Sequence, residues 1–68
     1  MSELVRRINK KKEIAWKASP NMETYNELSS QIEVCEELCR PLTETQIKEL
    51  AQLSIVQIQN KIRQHKLA

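Results

Sequence analysis

The sequence predicts an all-α protein, and three observations predict it. Glycine, phenylalanine and aspartate are absent, and only two prolines occur, Pro20 and Pro41. Without glycine no residue adopts positive φ at low cost, so tight hairpin turns and phosphate-cradling loops are disfavoured together. What remains is rich in Glu, Lys, Gln, Leu, Ile and Ala, most of which favour helix. Apolar residues recur at three- and four-residue steps, the spacing that gathers side chains on one helical face. Prolines and caps divide residues 1–68 into three helices of a single small domain, at about 3–18, 20–39 and 44–65.

Helix 1 has Ser2 as its N-cap and an apolar face of Leu4, Val5, Ile8, Ala15 and Ala18, with Ile14 and Trp16 on the flanks. Lys11 and Lys12 interrupt that face, so this is the weakest helix by pattern and is expected to lean on a partner. Helix 2 is expected to open at Ser19-Pro20, a cap followed by proline at the first helical position. Tyr25, Leu28, Ile32, Cys35 and Cys39 then form a narrow buried seam, with Met22 on its edge. Helix 3 has the clearest start. Thr43 caps it, Gln46 completes a capping box, and Leu42 staples onto Ile47. Ile47, Leu50, Ala51, Ile55, Ile58 and Ile62 follow in one stripe. Residues 43–66 also fit a helix-turn-helix register, but Leu53-Ser54-Ile55-Val56 contains neither Gly nor Pro. One continuous helix is therefore predicted. The short Arg40-Pro41-Leu42 connection predicts an antiparallel hairpin of helices 2 and 3. Helix 1 lies across that hairpin or is exchanged with a second subunit, in a three-helix, oligomeric arrangement.

Charge is segregated along the chain. Residues 1–19 carry six basic side chains against Glu3 and Glu13, residues 20–39 five glutamates and no cation, and residues 40–68 five cations against Glu44 and Glu49. An acidic helix between two basic ones is expected to pack against them. Arg6, Arg7, Lys10, Lys11 and Lys12 are the candidate nucleic-acid contacts, since clustered cations on a helix release phosphate counterions. Placed at 100° per residue, however, they do not gather on one side. Trp16 and Tyr25 are too few aromatics for base stacking. Val34, Leu53 and Val56 point off the apolar stripes and, with Trp16, form the candidate partner or oligomer interface.

Cys35 and Cys39 sit in seam positions and are read as core residues, not as a disulfide framework. A zinc site needs more ligands, and His65, the remaining soft one, is expected at the opposite end of the hairpin from both thiols. No catalytic constellation, cofactor loop or substrate pocket is legible, so no enzyme, metal or small-molecule ligand is expected. No apolar run reaches membrane-spanning length and no signal-peptide core is visible, so a cytoplasmic, reducing location is expected. The expected function is that of a small regulator, adaptor or inhibitor that binds a larger protein through helical surface and forms homo-oligomers. The alternatives are a nucleic-acid-binding regulator using helix 1 and a structural assembly subunit.

Overall fold

A computed structural model describes residues 2–67, and among these residues the protein is all-helical, four helices joined by short connections with no strand. The order is α1 (Glu3–Ala18), α2 (Met22–Glu37), α3 (Glu44–Leu50) and α4 (Ile55–Leu67). Each start has a chemical cause. The Ser2 hydroxyl accepts from the Val5 N–H, and Thr43 and Gln46 form the predicted capping box. The cap of α2 is Asn21, whose side chain accepts from the Thr24 N–H at 2.9 Å, and not the expected Ser19. Ser19 instead closes α1 through its N–H to Ala15.

The predicted third helix is two helices. Its apolar stripe runs through the break, which is why periodicity alone did not reveal it. At 51–54 the chain tightens, with Gln52 and Leu53 N–H groups bonding to Glu49 and Leu50 carbonyls. Ser54 and Gln57 then exchange side chain and backbone bonds at 3.3 and 3.4 Å, a second capping box that starts α4. A straight helix over about 22 residues would extend ~33 Å. The whole molecule is only 32 Å along its longest axis. The break lets Ile47, Leu50 and Ala51 bury beside α1 while Ile58 and Ile62 bury beside α2.

The chain reversal at 51–54 also overturns the antiparallel hairpin. Gln59 donates to Glu27 at 3.1 Å, and His65 Nε2 lies 2.8 Å from the Arg40 carbonyl oxygen. Thus α4 runs alongside α2 in the same sense, its carboxyl end beside that of α2. In contrast, α1 is antiparallel to α2, with Lys12 paired to Glu33 and Trp16 stacked on Tyr25. Helix α1 also packs on α3, and is not the accessory that its interrupted stripe suggested. Ala15 is fully buried, and Ile8, Ile14 and Ala18 pack against the core of Leu28, Ile32, Cys35, Ile47, Ile58 and Ile62.

Helix α2 ends two residues earlier than expected, and its end explains where Cys39 goes. Cys39 has φ 59°. Its N–H bonds to the Glu36 carbonyl, and the Arg40 N–H bonds to the Cys35 carbonyl. This is the Schellman closure, which asks for a left-handed residue usually supplied by glycine. With no glycine in the chain, a cysteine adopts it. The thiol leaves the seam and is exposed, whereas Cys35 stays buried.

Candidate functional site

The basic run of α1 divides in two once α2 is packed beside it. Glu36 is a buried carboxylate, its side chain 3% exposed. Lys11 Nζ donates to its Oε1, and Arg7 Nε lies 3.7 Å from its Oε2. Lys12 Nζ bonds to Glu33 at 2.7 Å. These pairs explain how two lysines sit within an apolar stripe: their stems lie along the α1–α2 contact and their heads meet acids of α2. Arg6 and Lys10 remain exposed and line a shallow cleft with Glu3 and Arg7. The five candidate nucleic-acid contacts are therefore not brought together on one open face.

The candidate interface residues are not gathered either. Leu53 is half-buried and packs against the core. Trp16 is 54% exposed and stacks edge-on against Tyr25 at 5.1 Å, at the amino end of α2. Val56 is exposed in the first turn of α4, and Val34 lies near the other end of the α2–α4 pair. Val34 does have neighbours that pattern reading missed. Leu38 is exposed four residues on, as the C-cap of α2, and Leu67 is exposed where α4 ends at the same end of the molecule. Leu38 lies roughly 60 to 140° around the helix from the seam residues at ~100° per residue, a signal available in the sequence.

Positive charge without an ion pair also lies along α4, where Arg63 and Lys66 line a cleft with Leu67. Lys61, Arg63 and Lys66 make no ion pair among the described residues, and α4 contains no carboxylate. Its outward face is Val56, Gln57, Asn60, Arg63, Gln64 and Leu67, all exposed. Between α3 and α4 runs a groove of about 560 Å³ with Leu42, Leu50, Leu53 and Ile62 among its lining, and with Glu49, Lys61 and His65.

Burial pushes the Cys35 thiol above the usual thiol range, opposed by the nearby Lys66. His65 lies at the same end as both cysteines, contrary to the antiparallel expectation, yet it faces the Arg40 carbonyl. No three His, Cys, Asp or Glu side chains converge as a metal-binding group among the described residues. No helix among them is long and apolar enough to cross a membrane. Comparison with known proteins returns no matching family model, no matching curated protein and no matching solved structure.

Proposed function

We propose that this protein is a non-enzymatic helical interaction protein, a regulator or adaptor that binds a larger protein through helical surface and also self-associates. The observation that carries the reading is the apolar surface left uncovered by the fold. Val34 lies in the last turn of α2 and Leu38 is its C-cap, and Leu67 ends α4 at the same end. Aliphatic side chains in register on a helix are what a partner helix or groove recognises. The alternative of nucleic acid held by α1 has less support, because Arg7, Lys11 and Lys12 face glutamates of α2.

Light scattering at micromolar concentration tests self-association. The expected mass is about twice the 8.0 kDa of the chain, returning to the chain mass in Val34→Ser/Leu38→Ser with helicity retained. A monomeric parent removes self-association, and open-ended masses favour a structural assembly subunit. Photo-crosslinking from position 38 in native cells tests the second partner. It should yield one larger adduct that Val34→Ser suppresses, and only self-adducts would refute it.

A further inference from the structure

Six of the eleven basic side chains make no ion pair among the described residues. Two, Arg6 and Lys10, lie on α1. The other four are Arg40, Lys61, Arg63 and Lys66, three on α4 and one in the connection whose carbonyl His65 touches. The packed fold has thus moved the free positive charge away from the run that looked most basic in the sequence. Glu27 is occupied by Gln31 and Gln59, and Glu49 shares the α3–α4 groove with Lys61.

We propose that α4 is a duplex-DNA-binding helix that enters the major groove on its outward face. Arg63, Asn60, Gln57 and Gln64 meet base edges there, while Arg40, Lys61 and Lys66 meet phosphates alongside. Side-chain chemistry favours this occupant. Asn and Gln bond adenine through two atoms, Arg bonds guanine likewise, and an aliphatic such as Val56 contacts a thymine methyl. The fold presents the helix suitably. Helix α3 is held against α1, and the turn at 51–54 sends the chain back into α4 on the rim of the molecule. A short helix, a turn and a longer groove-reading helix is the arrangement by which helix-turn-helix proteins dock. A helix about 10–12 Å wide fits a major groove of about 12 Å. Single strands suit the surface poorly, because Trp16 and Tyr25 stack on each other on the α1 side of α2. Duplex RNA has a major groove too narrow for a helix. A protein partner would find aliphatics only at the two ends of this face, Val56 and Leu67, with amides and a guanidinium between them.

Fluorescence anisotropy with a labelled DNA duplex of mixed sequence tests the proposal. Three phosphate contacts at a slope of about −0.9 each should weaken binding ~40-fold between about 50 and about 200 mM salt. Lys61→Gln/Lys66→Gln should lower that slope by about 2, whereas Arg6→Gln/Lys10→Gln should leave it unchanged. Asn60→Ala/Arg63→Ala should flatten the preference among duplexes of different sequence while the slope holds. All these side chains are outside the core, and circular dichroism checks that the variants fold. Absence of duplex binding at low salt overturns the proposal. So does equal affinity for a single strand, a slope lost through Arg6 and Lys10 instead, or displacement of the duplex by polyglutamate at equal charge. The last result would make an acidic protein the occupant of α4.

Discussion

Replacing Lys11 with methionine removes one charge and keeps most of the side-chain stem, so it isolates the ion pair at the α1–α2 contact. The carboxylate it leaves behind is the source of the cost. The Glu36 side chain is 3% exposed, against 19% for Lys11 and 57% for Arg7. After the change Glu36 keeps only Arg7, at 3.7 Å and mostly in solvent. Breaking one side of a buried pair costs ~3–5 kcal/mol, because the remaining charge stays desolvated. Arg7 places Lys11→Met at the lower end, about 3 kcal/mol, comparable with the net stability that a core of this size supplies. The melting temperature should fall by roughly 10–25 °C at ~4–8 °C per kcal/mol. Lys11→Met/Glu36→Met removes both charges and should recover most of the loss, since apolar replacement of a buried pair is neutral to stabilising. The assay is a double-mutant cycle from urea and thermal melts. If Lys11→Met melts within ~0.5 kcal/mol of the parent, or the double variant is weaker than the single one, Glu36 is hydrated and the pair does not organise the contact.

The remaining predictions concern the cap, the thiols and the core. Cys39→Gly relieves a left-handed conformation in a β-carbon-bearing residue, and should stabilise by about 1 kcal/mol, or ~4–8 °C in a thermal melt. In native protein near neutral pH, a thiol reagent should label exposed Cys39 quickly and Cys35 only on unfolding. Because burial raises the Cys35 pKa, its share of stability is complete below the ordinary thiol range and is lost as pH rises through its raised range. Alkaline melts of Cys35→Ala should lack that added decline. Ile58→Ala should cost ~2–5 kcal/mol, since Ile58 is fully buried, and deleting residues 1–18 should unfold the chain by circular dichroism, since α1 packs on both α2 and α3.

The helices, their main caps and the buried stripes were legible without coordinates because they depend on neighbours within a few residues. Thr43 and Gln46 close a capping box, and Leu28, Ile32, Ile47, Ile58 and Ile62 recur at helical spacing, and all five are buried. Ser54 and Gln57 carry the same local cap, but the apolar stripe runs through it without interruption and by itself reads as one helix. Whether a capped position starts a new helix depends on where each half of the stripe finds cover, and that is a property of the packed chain. The same holds for the candidate sites. Residue identity determined that this protein has a basic amino-terminal helix beside an acidic one. Only tertiary packing decided that Lys11 and Lys12 meet Glu36 and Glu33 while Lys61, Arg63 and Lys66 make no ion pair among the described residues, because charge pairing follows distances across helices that no local pattern sets.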